Sequence, residues 1–267
     1  MGGCASMDKM KSKLKDIPWL REKKTYKVQD TKIAVVEGDV SKGYGDNIVI
    51  PVQDGGVVDS SFLGLNQEQQ AKFNAEAQSY VNGPNMDVLR SGKPFYVGLD
   101  KSKIPKDSVF SGVKTLIFVP IPRHPNIARD VLPTILMNIV RTADEAKLKE
   151  VAIPRLIRPG LIGANDSEIA YSTAYSLQKR FSRPLNVGDH SISKVDLISE
   201  DARYNEEMMR ALTDAIDEKK PLPDFLATSQ NRSTLMTTTS TTQYVGKSRT
   251  IEQNNNQPNI VSSYMPF

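Results

Sequence analysis

Two stretches of this sequence carry residue types whose spacing indicates defined chemistry, and the first is the N-terminus. Once Met1 is removed, Gly2 presents a free α-amine, and Ser6 stands at the hydroxyl position that N-myristoyltransferases recognise. Cys4, the single cysteine of the chain, lies two positions from that amine and is suited to a second acyl chain. The spacing predicts a lipoprotein that carries myristate and palmitate. The alternative is an ordinary N-terminus with a chance glycine.

A single myristoyl chain gives only marginal membrane binding, so a stable anchor needs a further signal. The segment 1–27 supplies one in the form of a basic run. Its members are Lys9, Lys11, Lys13, Lys15, Arg21, Lys23, Lys24 and Lys27. Each cation close to an anionic leaflet contributes about 1 kcal/mol. We therefore expect a lipidated basic N-terminal segment that holds the protein peripherally on the cytoplasmic face of a membrane, in contact with the anionic lipid surface.

Composition narrows the remaining classes. The formal charge of +4 is mild, and much of the excess lies in the first thirty residues, which argues against a nucleic-acid groove across the fold. With one cysteine and two histidines, neither a disulfide framework nor a Cys/His zinc site is expected. No metal and no cofactor are predicted.

The second stretch with chemical potential is Gly160-Leu161-Ile162-Gly163, which follows an apolar run at 150–154. Glycines let the backbone approach a ligand closely, and consecutive N–H groups that face one way form an anion-binding concavity. A helix predicted from about residue 167 would add its positive N-terminal end. Taken alone, the two glycines also suit an ordinary loop.

The elements that must position these residues alternate along the central zone. Apolar runs predict strands at 32–36, 47–52, 114–120, 150–154 and 194–198. Helical spacing or polar composition predicts helices at 66–80, 127–149, 167–181 and 204–218. The alternation indicates an α/β domain of three layers over residues 28–225, with a mixed, mainly parallel sheet. The tail, 226–267, is rich in Thr, Ser, Asn and Gln and is predicted to be disordered.

The order of these motifs resembles that of the macro domain family. Val36-Glu37-Gly38-Asp39-Val40 and the strand from Asn47 resemble the family's opening, and residues 150–154 with Gly160 to Gly163 resemble its second phosphate loop. The resemblance covers roughly residues 30–220. It implies a macro-like fold with a cleft for ADP-ribose or an ADP-ribosylated protein.

The resemblance also implies roles for single residues. Asp39, next to Gly38, would accept a hydrogen bond from the adenine amino group, and Gln53 would orient the distal ribose. The amides of Gly160, Leu161, Ile162 and Gly163 would cradle the diphosphate, with Arg158 beside them. Arg155 and Arg158 are candidates for a bidentate phosphate clamp, or else two solvated arginines. Asp59 falls where hydrolytic members of the family carry an acid that positions a water molecule.

Three positions depart from the family pattern. Gln53 and Ile50 stand where the family has asparagine, and Ile162 replaces an aromatic residue that covers the ribose. The loop with Asp59 is also shortened. These departures favour a membrane-tethered binding module without efficient hydrolysis. The alternatives are a lipid-anchored structural or adaptor protein with a degenerate cleft and, third, an ADP-ribosyl hydrolase.

Overall fold

The computed structural model describes residues 20–38, 45–53, 56–58, 60, 67–105, 107–124, 126–157, 165–182 and 191–226. The chain divides into two units, Met1–Ser229 and Gln230–Phe267, and every described residue lies in the first. The acylation candidates Gly2 and Cys4 and the predicted disordered tail beyond Leu226 fall outside the described residues.

Eight strands form one sheet among the described residues. They are β1 (Leu20–Val28), β2 (Thr31–Gly38), β3 (Asn47–Gln53), β4 (Val57–Val58), β5 (Phe95–Gly98), β6 (Thr115–Ile121), β7 (Glu150–Pro154) and β8 (Lys194–Ser199). The strand order is β1-β2-β8-β7-β3-β6-β5, and β4 pairs with β3 outside that path. The five strands from β2 to β6 in that order run parallel, whereas the edge strands β1 and β5 run antiparallel to their neighbours.

Five helices connect these strands in the described part of the chain. They are α1 (Gln67–Tyr80), α2 (Pro84–Arg90), α3 (Leu132–Glu145), α4 (Asp166–Phe181) and α5 (Ala202–Leu212). A π-helical turn, Ile127–Val131, leads into α3, and a second one, Thr213–Asp217, follows α5. The long helix predicted at 127–149 is therefore shorter and begins with a widened turn.

The sheet is covered on both faces, which gives the three layers that the sequence predicts. On one face, α3, α4 and α5 pack on strand residues such as Val49 and Val195. On the other, α1 and α2 pack on Ile48 and Phe118. Residues 48–52 of β3 are all buried, as expected for a parallel strand that helices cover on both sides. The predicted α/β class with a mixed, mainly parallel sheet is confirmed.

The sheet begins earlier in the sequence than predicted. Leu20–Val28 forms edge strand β1, although the sequence analysis placed residues 20–27 in the basic N-terminal segment. Lys23 and Lys24 of this strand pair with Glu37 at 2.5 Å and with Asp217 at 3.4 Å. Part of the predicted basic run is thus built into the folded domain, and two of its charges have acidic partners.

Candidate functional site

The parallel strands have their carboxyl ends on the same side of the sheet, hereafter the carboxyl edge. At this edge, the connections that follow β3 and its neighbours lead to opposite faces of the sheet. From the end of β3 the chain leads to α1 and α2 on one face, whereas β6 and β7, on either side of β3, lead to α3 and α4 on the other. Neighbouring loops that leave in opposite directions open a crevice beyond the carboxyl ends of the strands, which is where ligands bind in sheets of this type. This edge is the candidate site.

Gln53 ends β3 at the crevice and begins a tight turn. The amide of Gly56 donates to the Gln53 carbonyl at 2.9 Å. Gly56 adopts a φ of +79°, and a Cβ atom there would lie 1.9 Å from Sδ of Met86 in α2. The backbone angle therefore selects glycine, whereas the end of the flexible Met86 side chain would have to shift to admit a Cβ atom.

The side chain of Gln78 in α1 stabilises the same turn through two hydrogen bonds. Its Oε1 accepts from the Val58 amide at 3.0 Å, and its Nε2 donates to the Gly56 carbonyl at 2.9 Å. One neutral amide thus pairs with a donor and an acceptor on either side of Val57. The position of the turn after β3 is set by uncharged hydrogen bonds and by steric fit.

The segment after β7 is held in a different way, by the buried side chain of Arg155. Its Nη1 donates to Asp201 Oδ2 at 2.9 Å, its Nη2 donates to Asp166, and its Nε donates to the Ile157 carbonyl at 3.2 Å. The guanidinium also lies over the ring of Tyr204, 4.3 Å from its centroid. Burial raises the pKa of the Tyr204 hydroxyl, which keeps this ring neutral beside the cation.

Residues 158–164 are called the second loop below. Arg155 contacts the residues on both sides of this loop. Ile157 precedes that loop, and Asp166 begins α4 just after it. With the guanidinium engaged by two carboxylates and a carbonyl, the structure does not support Arg155 as a phosphate clamp. Arg158, the other candidate for that clamp, lies outside the described residues.

The N-terminus of α4 is capped by its own side chains. Asn165 accepts from the Glu168 amide at 2.8 Å, and Glu168 pairs with Arg129 at 3.1 Å. Asp166 and Glu168 place two carboxylates in the first turn, where they offset the positive end of the helix dipole. The predicted contribution of this helix end to anion binding is thus smaller than the sequence suggested.

Two of the predicted ligand-binding residues lie in the described part of the chain, and both are at the same sheet edge. Gly38 ends β2, and Gln53 ends β3, three strand positions away in the sheet. At about 4.8 Å per strand, this separation is roughly 14 Å. Asp39, Asp59, Gly160, Leu161, Ile162 and Gly163 lie outside the described residues.

The residues that support the two loops were not predicted from the sequence. Gln78 acts from within a polar helix, and the pairing of Arg155 with Asp201 joins residues far apart in sequence. One signal was present, because Asp201 lies three residues before the helix predicted from residue 204, and aspartate is a common N-cap. Asp201 does cap α5, accepting from the Tyr204 amide at 3.1 Å.

The described residues contain no helix that is long and apolar enough to cross a bilayer. Nor do they bring three or more His, Cys, Asp or Glu side chains together in a group that could hold a metal ion.

Comparison with known proteins identifies the fold. The sequence matches no protein-family model and no curated protein. A variant of the Oceanobacillus iheyensis macrodomain is similar in structure, with a TM-score of 0.54 and 16% identity over 73% of this chain and 94% of that one. The same macrodomain with ADP gives 0.53 and 15% identity over 74% and 98%, and another variant with ADPR gives 0.52 and 16% over 73% and 98%. The chain has a macro-domain fold.

In this macro-domain fold the two loops that the resemblance singled out follow adjacent strands. β3 and β7 pair through Ile48 and Ala152, so the turn after Gln53 and the segment after Pro154 leave the sheet side by side. The predicted macro-like architecture is confirmed.

Proposed function

We propose that this macro-fold domain binds ADP-ribose, free or attached to a protein, at the crevice beyond β3 and β7. The observation that carries the proposal is the common edge on which Gly38, Gln53 and the flanks of the second loop are placed. The adenine end would lie near Gly38 and Asp39, the diphosphate over the second loop and the distal ribose at Gln53. The similar macrodomain structures that contain ADP and ADPR support this choice of ligand.

Titration calorimetry with ADP-ribose tests the proposal. Asp39→Ala removes the carboxylate proposed to accept from the adenine amino group and should weaken binding at least about tenfold, because a hydrogen bond to a charged group is worth roughly 1.5–3 kcal/mol. Asp30→Ala is the matched control, since Asp30 is exposed and precedes the opposite end of the same strand. Equal affinity in both variants would contradict the proposed orientation.

We further propose that the domain binds its ligand without efficient hydrolysis. A loop shorter than that of the family would shift the carboxylate of Asp59 relative to a bound ribose, and a misplacement of about 1 Å can cost a hundredfold in rate. Release of ADP-ribose from a modified protein should therefore be slow. Release that is fast and that Asp59→Ala abolishes would instead establish the hydrolase alternative. An absence of heat at millimolar ADP-ribose would favour the adaptor alternative.

Membrane attachment is the third part of the proposal. Acylation of Gly2, and of Cys4 as a second site, would hold the domain on the cytoplasmic face of a membrane. In cell fractionation, Gly2→Ala should move the protein from the membrane pellet to the soluble fraction. Gly3→Ala is the matched control, because the recognition pattern does not specify that position. Persistence of Gly2→Ala in the pellet would exclude myristate as the anchor.

A further inference from the structure

A cavity of about 460 Å³ opens between the carboxyl ends of β3 and β6. It lies on the side of β3 that faces away from β7, next to the proposed diphosphate site, and it shares Gln53 with the proposed distal-ribose position. Its walls come from α2, α3 and the ends of the two strands, and include Gln53, Leu89, Arg90, Pro120, Ile135 and Asn138.

The size and the lining of this cavity suit a small organic molecule. Pockets that bind such ligands typically enclose about 300–1,000 Å³, with mostly apolar walls and a few placed polar groups. Leu89, Pro120 and Ile135 supply apolar surface here. Arg141 donates to Oδ1 of Asn138 at 2.7 Å, which assigns Nδ2 of that amide as the end that can donate to a ligand.

Arg90 determines the charge that the cavity favours, because it is the ionised side chain among the described lining residues. Its partner within α2 is Asp87, at 3.6 Å, and the side chains of Arg90 and Asp87 are 65% and 78% exposed. A pair this exposed contributes about 0–1 kcal/mol, so the guanidinium can turn to a ligand at little cost. A carboxylate would match its planar fork.

We propose that this cavity is a second binding site, one that accepts a small organic anion with an apolar body. The apolar part would lie between α2 and α3 against Leu89 and Ile135, and the carboxylate would reach Arg90. The Asn138 amide would donate a further hydrogen bond. This inference goes beyond the proposed function and does not depend on ADP-ribose binding.

Phenylbutyrate and its neutral counterpart phenylbutyramide are a matched pair of probes for this site. Titrated into the full chain and followed by amide NMR, phenylbutyrate should give saturable shifts in α2 and at 131–138, with millimolar affinity. Phenylbutyramide should bind more weakly. Arg90→Gln should weaken phenylbutyrate about fivefold, the upper range for one exposed charge pair. Thr134→Trp, at an exposed lining position, should block the cavity and abolish the shifts.

Arg210→Gln is the matched control. Arg210 is also a helical arginine, its side chain is 64% exposed, and its acidic partner Glu207 is three residues away. The Arg210→Gln variant should bind phenylbutyrate with the same affinity as the unmodified protein. No saturable shifts, shifts elsewhere, or equal affinity in Arg90→Gln would overturn the inference. Failure of ADP-ribose to bind, with phenylbutyrate still bound, would count against the proposed function alone.

Discussion

The two supports at the candidate site are built on opposite principles. The turn after β3 is held by the neutral amide of Gln78 and by a glycine that fits against Met86. The second loop is held at both flanks by one buried arginine and two carboxylates. The turn after β3 depends on steric fit and backbone angle, whereas the second loop depends on how Arg155 is positioned between its two carboxylates. Adjacent loops at one crevice therefore need not respond alike to substitution.

The largest expected effect comes from removing the charged support. Arg155→Ala leaves Asp166 and Asp201 without their shared cation and should lower the free energy of unfolding by about 3–4 kcal/mol. Arg155→Lys keeps the charge but not the planar guanidinium, so it should lower the free energy of unfolding by less than Arg155→Ala does. Urea denaturation measures both, with Arg210→Ala as the exposed control. A loss below that of the control would contradict the proposed role of Arg155.

A second buried charged pair contacts neither loop, so it separates the effect of buried charge from the effect of loop support. Lys194 and Asp196 of β8 lie 2.9 Å apart and are both buried. Burial raises the pKa of Asp196 to about 6, from 3.8, although Lys194 opposes the shift. Between about pH 4 and pH 6 the folded protein therefore keeps a proton that the unfolded chain has lost, so the stability from this group falls as pH rises.

Asp196→Asn should remove that pH dependence. The comparison is of slopes, because the variant also leaves Lys194 without its carboxylate and is less stable overall. Urea denaturation at a series of pH values between about 4 and 7 measures how the free energy of unfolding changes with pH. Across this window the change should differ between the variant and the unmodified protein by up to about 2 kcal/mol. Parallel curves for the two proteins would refute the assignment.

The steric support should be weaker than the charged one. Gly56→Ala places a side chain at a φ of +79° and against Met86, and should cost about 1–3 kcal/mol. The double variant with Met86→Ala relieves the contact but not the backbone angle, so part of the loss should remain. Gly98→Ala is the control, since a Cβ there meets no atom within 4 Å. Full recovery in the double variant would show that the backbone angle is unimportant.

The smallest effect is expected at Gln78. Gln78→Glu keeps the acceptor for the Val58 amide but loses the donor to the Gly56 carbonyl, and should cost about 1 kcal/mol. Gln70→Glu, in the same helix, controls for the added charge. Thermal unfolding followed by circular dichroism measures both variants. An equal change in unfolding temperature in the two variants would show that the hydrogen bonds of Gln78 do not stabilise this turn.

The sequence predicted the parts of the fold that hydrophobic patterning defines. The buried strands β3, β6, β7 and β8 and the helices α1 and α4 lie within a residue or two of their predicted positions. β1 was missed, because lysines and arginine dominate an edge strand that solvent covers on one side. β4, β5 and α2 are too short to carry a periodic signal.

The candidate site was predictable only in outline. Gly38 and Gln53 end parallel strands, so the alternation of strands and helices is enough to put both at the carboxyl ends of the sheet. The role of Arg155 was not predictable. Its partners lie 11 and 46 residues away, and only the packing of α4 and α5 side by side on one face of the sheet brings them together.

The register of β1 links the beginning of the chain to the candidate site. β1 is antiparallel to β2, and its first residue, Leu20, pairs with Gly38. The polypeptide therefore enters the sheet at the rim where the crevice opens. Only 17 residues lie between Gly2 and Leu20, so an acyl group on Gly2 would keep this rim within about 65 Å of the lipid surface. A domain tethered in this way would sample ligands presented close to the bilayer rather than those deep in the surrounding solution.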